Sequence, residues 1–336
     1  LSVAVVLASA CCASPAQAQT FEAVGIRAQG MGGAFVAVAD DATAVYWNPG
    51  AMATVGIYSA VAEGGEGSFG RTGVNADGSV RVGASPLGLR EQSGTLVALG
   101  LPPIGVAYYR LQTTEVFASR ADTSAACGAR LTTDNVAVNV LQSLTDGVHV
   151  GVALRLVRGV AGNGFVAGPD AGSLLAAAGD VPDRSSWAVD VDAGLLVARG
   201  RWRAGLAARN LAKPSFDLPE RATAVELYAV PVSRQVRAGV AFLPRSGTTL
   251  AVDADLTRTA TSVGDTRRLA IGAEQAVLPR LTVRGGLRLQ TAGDLRPSGA
   301  AGASVAVTTS IFVDAQVTRG AHDGDRHWSA GLRIGY

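Results

Sequence analysis

The side chains able to do ionic chemistry in this chain fall into a pattern. Arg155, Arg203, Arg209, Arg237, Arg268, Arg284, Arg288 and Arg333 sit among apolar neighbours, and most alternate with them. So do Asp190, Asp192, Asp253, Asp255, Glu274 and Asp314. A guanidinium is a fork that matches a carboxylate, so some of these arginines, with Arg155, Arg237, Arg284 and Arg288 as candidates, suit the head group of an amphiphile. The competing reading, preferred on the near balance of charge, is a self-neutralising ladder of ion pairs across neighbouring strands.

Other chemistries find less support. Gly30-x-Gly32 superficially resembles a nucleotide-binding glycine loop, but no strand precedes it and no βαβ unit follows. Asp40-Asp41 lacks a cation ligand set, so a salt bridge from plug to wall or a helix cap is expected of it. His149, His322 and His327 have no metal spacing, and His327 is placed at the outer rim. No nucleophile elbow or acid/base pair stands out. No enzyme activity, cofactor or metal is therefore expected.

The elements that position these residues must reconcile two facts. Hydrophobic residues make up 48% of the 336 and charged residues only 17%, against about 25% in soluble proteins; mean hydropathy is +0.26. Yet beyond residue 19 no apolar run approaches the roughly 20 residues of a spanning helix. Apolar residues spread at short period point to the other spanning structure, a closed barrel that satisfies its own backbone. The 29 basic and 27 acidic residues give a net charge of +2, which offers no reason to expect nucleic acid.

Residues 1–18 read as the later part of a signal peptide, with an apolar stretch and the cleavage pattern Ala16-Gln17-Ala18. Ala8-Ser9-Ala10-Cys11 loosely resembles a lipobox without its leading Leu, so lipidation at Cys11 stays the alternative. Cleavage removes Cys11 and Cys12 and leaves Cys127 as a loop thiol with no intramolecular disulfide partner.

Period-two alternation runs from about residue 57 to the end. Trp328, Ala330, Leu332, Ile334 and Tyr336 form one face of the last strand; His327, Ser329, Gly331, Arg333 and Gly335 form the other. Similar runs predict fourteen strands, at 57–62, 95–101, 104–111, 134–141, 148–157, 187–197, 201–209, 235–243, 248–256, 267–276, 280–290, 298–307, 310–318 and 328–336. Long and short connections alternate strictly, as in an outer-membrane barrel with short inner turns and long outer loops. Gly78–Val82 could add a strand. A β-sandwich also alternates, but here one face is almost purely aliphatic and the only lysine is Lys213. Trp187 and Trp328 would lie at the outer rim and Trp202, Phe242 and Tyr336 at the inner rim, the headgroup levels favoured by aromatics. Loop 158–186 carries Leu174-Leu175-Ala176-Ala177-Ala178, expected either as a short helix offering an outer hydrophobic docking site or as a cap on the barrel.

Gly25 to Ala53 reads GIRAQGMGGAFVAVADDATAVYWNPGAMA, with small residues and tight turns suited to packing inside something narrow. This stretch resembles the N-terminal signature of FadL-like outer-membrane proteins, a group that includes fatty-acid transporters, aromatic-hydrocarbon channels and PorV-type secretion proteins. Gly50-Ala51-Met52 stands where many relatives have Ala-Gly-Leu. The resemblance implies that residues 19–56 form a plug inside a barrel of residues 57–336. Its motif residues are Gly25, Arg27, Gly30, Met31, Gly32, Gly33, Asp40, Asp41, Trp47, Asn48 and Pro49. It further implies passive uptake of long-chain fatty acids or other small hydrophobic molecules, with lateral release into lipid, in the outer membrane of a Gram-negative type of cell. The alternative role is a PorV-like scaffold for secretion-system proteins without transport. Tyr336 resembles the terminal aromatic read by the barrel assembly machinery.

Overall fold

The computed structural model describes residues 19–72, 87–118, 126–219, 229–261, 264–292, 297–321 and 325–336. The expected leader over 1–18, the extra strand at Gly78–Val82 and His322 lie outside them. The chain closes into an antiparallel barrel of fourteen strands. In chain order these are β1 (Ser59–Thr72), β2 (Gly88–Leu101), β3 (Ile104–Ala118), β4 (Ala126–Thr145), β5 (Val148–Val166), β6 (Asp183–Arg199) and β7 (Trp202–Arg209). After two short strands, β8 (Ser215–Asp217) and β9 (Ala229–Pro231), come β10 (Gln235–Arg245) and β11 (Thr248–Asp255). A second short pair, β12 (Thr259–Thr261) and β13 (Gly264–Thr266), precedes β14 (Arg268–Leu278), β15 (Leu281–Gln290), β16 (Pro297–Ala306), β17 (Ile311–Gly320) and β18 (Arg326–Gly335). Pairing of β1 with β18 from Ser59↔Gly335 to Ser68↔Arg326 shuts the cylinder and removes its open edge.

Alternation is why this sequence makes a barrel. On β5, Val152, Leu154 and Leu156 face outward and exposed, while Ala153, Arg155 and Val157 are buried. From Val148 to Leu156 the strand crosses roughly 20 Å at about 3.3 Å per residue and a 40° tilt, near the ~25 Å apolar band of outer-membrane barrels. The band ends in a cross-strand row, Arg110↔Asp134↔Arg158↔Trp187. Trp187 and Trp328 are exposed at the long-loop rim, and Trp202, against Phe242 at 4.5 Å, at the opposite rim. No helix among the described residues is long and apolar enough to cross a membrane.

Asp146-Gly147, Gly200-Arg201 and Ser246-Gly247 make three of the short turns, with Gly147, Gly200 and Gly247 at φ 73°, 58° and 75°. Two-residue hairpins demand such positive φ to match strand twist.

On the long-loop side the strands outrun the sequence reading. β3 continues to Ala118, β4 starts at Ala126, and β5 continues to Val166, so the expected loops 63–94, 112–133 and 158–186 are shorter than anticipated. Past the lipid band both faces of these strands are covered, and alternation, the only signal used, disappears: Ala126–Thr133 is buried almost throughout. Within loop 158–186 a helix forms, α3 (Ala171–Gly179), where α1 (Ile26–Gly30) and α2 (Ala44–Trp47) are the two short N-terminal helices. Asp170 and Ser173 close a capping box at its start, and Arg130 Nη1 donates to the Gly179 carbonyl at 2.8 Å at its end. Leu174, Leu175 and Ala178 pack on Leu89, Val116, Ala126 and Val166. Those strand residues share the parity of the lipid-facing Val97, Tyr108, Val136 and Leu156. The helix therefore caps the outside of the wall above the lipid band, and its leucines are not free for docking. On the inner side, β8–β9 lays Phe216 and Val230 on Leu131, Val157 and Ala161. Cys127, expected as a lone thiol once Cys11 and Cys12 depart with the leader, is instead disulfide-bonded.

Candidate functional site

Residues 19 to about 56 fill the lumen, and almost every one of them is buried. Phe21, Phe35, Tyr46 and Trp47 form an aromatic cluster with ring centroids 5.4–6.4 Å apart, and Tyr109 of β3 joins it at 5.1 Å from Tyr46. Trp47 is 0% exposed and its indole N–H donates to the Val24 carbonyl at 3.2 Å. The N-terminal end of the segment is strapped across the barrel. Gln19 donates to Thr133 of β4 at 2.7 Å, and Gln235 of β10 donates to the Gln19 carbonyl at 2.6 Å.

The motif residues serve this packing. Gly25 adopts φ 97°, which an L side chain rarely takes, and its N–H with that of Ile26 is received by the Glu63 carboxylate of β1. Gly30 lies against the Arg284 side chain, and Met31 and Gly32 pass so near β14 and β15 that Gly272 and Gly286 leave them room. Asn48 donates to the Val36 carbonyl at 2.8 Å and the Leu195 carbonyl at 3.1 Å, while its oxygen caps the Pro49–Thr54 turn through Gly50 N–H. Asn139 of β4 donates to the Pro49 carbonyl at 3.2 Å.

Charge fixes the rest. Arg27 reaches Asp40 at 2.7 Å, Asp41 at 2.8 Å and Glu274 of the wall at 2.8 Å. Asp40 also lies 3.9 Å from Arg203 of the wall, and Asp41 accepts from the Thr43 N–H at 3.0 Å. Burial raises the Asp41 carboxyl, but Arg27, Arg333 and the Thr43 hydroxyl together outweigh it and hold it below the ordinary value. Glu22 receives Arg237 at 2.7 Å, Arg268 at 2.5 Å and Arg288 at 3.6 Å. Burial pushes its carboxyl up, and the three guanidiniums overcome that and hold it far below the carboxylate range.

The four arginines proposed for a head group separate here. Arg155 is taken by Asp190 and Asp192. Arg237 is taken by Glu22 and Asp255, and Arg284 by Glu274 at 3.0 Å and Asp314 at 3.8 Å. Arg288 has the longer contact to Glu22 and a 3.3 Å hydrogen bond to Ser298, and it lines a cavity of about 80 Å³. That cavity lies above the plug at the long-loop end, bounded by Glu22, Gln29, Arg90, Gln92, Arg268, Arg326 and His327. His327, expected at the outer rim, is at that end of β18 but is buried toward the lumen beside Gln316. Arg90 pairs with Glu115 at 3.4 Å, both buried on the inner face of β2 and β3.

Sequence reading missed Glu22, Glu63 and Gln29, which join plug to wall. For Glu22 one signal existed: eight inward arginines against the six inward acids read from the alternation leave a surplus, and Glu22 of the plug takes up part of it; the neutral Gln29 and the wall residue Glu63 had no such signal.

Among curated proteins none matches the chain by sequence. Solved structures of like fold include one described as the CymD monoaromatic hydrocarbon channel, with a TM-score of 0.64 and 14% identity, covering 95% of this chain and 99% of that one. A Pseudomonas aeruginosa FadL homologue follows at 0.61 and 11%, covering 96% and 98%. The Pseudomonas putida toluene transporter TodX stands at 0.59 and 11%, covering 95% and 98%. At these identities the likeness is one of fold. The family that matches by sequence, over residues 38–255, is not described as a FadL family, so the N-terminal resemblance has the shared fold behind it and no family match. By that match, which spans more than half of its length, the chain belongs to the family described as "F plasmid transfer operon, TraF, protein".

Proposed function

We propose that the protein is an outer-membrane channel for a small hydrophobic molecule carrying an acidic head group, a long-chain fatty acid being the simplest case. The observation that carries this is the cavity above the plug, where Arg288 and Arg268 share one carboxylate, Glu22, and line a space of about 80 Å³. That is room for a head group, with apolar contact left to supply affinity at ~25 cal/mol per Å² buried. The like fold of channels described as carrying toluene and monoaromatic hydrocarbons supports the hydrophobic part. Passive movement with sideways release into the bilayer accords with β1, where Gly64, Gly65 and Gly67 make a thin wall and Gln92, Arg326 and His327 border both the cavity and a groove on the outer surface.

Liposomes carrying the purified barrel should take up labelled fatty acid, and Arg288→Gln should slow uptake severalfold. No uptake by leak-free barrels would reject transport.

A second reading, a scaffold that presents other proteins and transports nothing, is favoured by the closely packed plug and by the family's description, which names a plasmid transfer operon. A stable protein complex recovered together with absent uptake would decide for it.

A further inference from the structure

On the outer face of the barrel, at the long-loop end, two arginines stand side by side, and Arg326 also borders the cavity above the plug. Arg319 of β17 and Arg326 of β18 are register partners, both on the outward face, both exposed, and neither has an ion pair among the described residues. Like charges directly opposite on a sheet destabilise it unless an anion lies between them. Glu66 and Glu91 line the same groove. Ser68 separates Glu91 from Arg326, and Glu66, in register with Trp328, is the diagonal neighbour of Arg326 on β1, so no acid stands directly opposite either arginine.

Below Arg319 the wall is hollow. A trough of about 800 Å³ runs over β10–β17, floored by small residues and walled by Val252, Ile271 and Leu287. Two register rows make it: Ile271↔Leu287↔Gly299↔Arg319, and Ala273↔Gly285↔Ala301↔Val317↔Trp328. An apolar trough within the lipid band, a pair of guanidiniums at its outer end with no ion pair among the described residues, and an exposed tryptophan beside them at headgroup level together have the shape and charge order of one amphiphile.

We propose that this face holds a bound phosphate-bearing lipid, its acyl chains in the trough and its phosphate between Arg319 and Arg326. The guanidiniums supply charge-assisted donors to the phosphate oxygens, and filling the trough replaces absent side chains with methylenes. The inference needs only that the wall faces lipid, although Arg326 also borders the cavity above the plug.

The test uses the full chain in dodecyl maltoside micelles, titrated with dimyristoyl phosphatidic acid and followed by native mass spectrometry. A saturable adduct is expected. Dimyristoylglycerol, which lacks the phosphate, should give none, and inorganic phosphate at millimolar concentration should not displace the lipid. Arg319→Gln with Arg326→Gln should weaken binding about tenfold or more, the loss expected of charge-assisted hydrogen bonds. Gly285→Leu with Gly299→Leu keeps both arginines and fills the trough. A Cβ at either position meets nothing nearer than 3.8 Å, so this second variant folds and should weaken binding comparably. Equal binding by the glutamine variant or by dimyristoylglycerol would overturn the headgroup assignment. Undiminished binding by the leucine variant would overturn the trough, and displacement by phosphate alone would leave an ion site and no lipid site.

Discussion

Replacing Glu22 by Gln should loosen the plug. This carboxylate is 6% exposed and serves three guanidiniums. Arg237 keeps Asp255 at 2.7 Å after the change; Arg268 and Arg288 lose the carboxylate that joins them to the plug. Breaking a buried ion pair by removing one partner costs roughly 3–5 kcal/mol. At about 1.4 kcal/mol per decade, the population of barrels with the N-terminal segment displaced rises by some two to nearly four orders of magnitude. Planar-bilayer recording should show rare, brief openings in the parent and frequent ones in Glu22→Gln. Protons should act in the same direction. The Glu22 carboxyl is depressed in the folded protein, so its contribution is complete above the free carboxylate value near 4.3 and is lost only as pH falls through the lower folded value. The parent should stay closed from neutral pH down to about pH 4 and begin to open below it, and Glu22→Gln should lack most of that dependence. Conductance and pH response identical in the two proteins would refute the ionic clasp.

Other outcomes follow from the same packing. Trp47→Ala removes a wholly buried ring from the centre of the aromatic cluster and should destabilise the plug by about 3–5 kcal/mol, read as earlier protease cleavage within residues 25–53 of the intact barrel. Adjacent Gly285 and Gly286 should respond oppositely to Leu. At Gly286 a Cβ would collide with the Met31–Gly32 backbone, whereas Gly285 opens outward, so Gly286→Leu should lower the melting temperature and Gly285→Leu should leave it unchanged. Val138→Arg, on the lipid face of β4, should cost roughly 2–4 kcal/mol of barrel stability in vesicles, measured by urea unfolding.

The barrel was legible in the sequence wherever lipid faces one side and the plug the other. There, alternation such as Leu154-Arg155-Leu156 has a single physical meaning, and all fourteen strands were found within that band. Legibility ended where water and α3 replaced lipid. Ala126–Thr133 and Gly159–Gly164 stay paired as strands, yet both faces are covered and no period survives. The hairpins β8–β9 and β12–β13, three residues per strand, are too short to show one. Arg155, Arg237 and Arg284 were correctly seen as inward-facing, but which acid each would meet depends on cross-lumen distance. Glu22, a single acid in an unpatterned stretch, gave no local sign that it would gather three arginines.

The central claim is that aliphatic side chains face hydrocarbon and ionic ones face inward. It is tested most directly by spin labels placed singly at residues 152 to 157 of β5 in lipid vesicles. Oxygen collision rates should rise at 152, 154 and 156 and fall at 153, 155 and 157, with a water-soluble nickel complex excluded from the outward positions. Rates without a two-residue period, or outward positions open to nickel, would contradict the account.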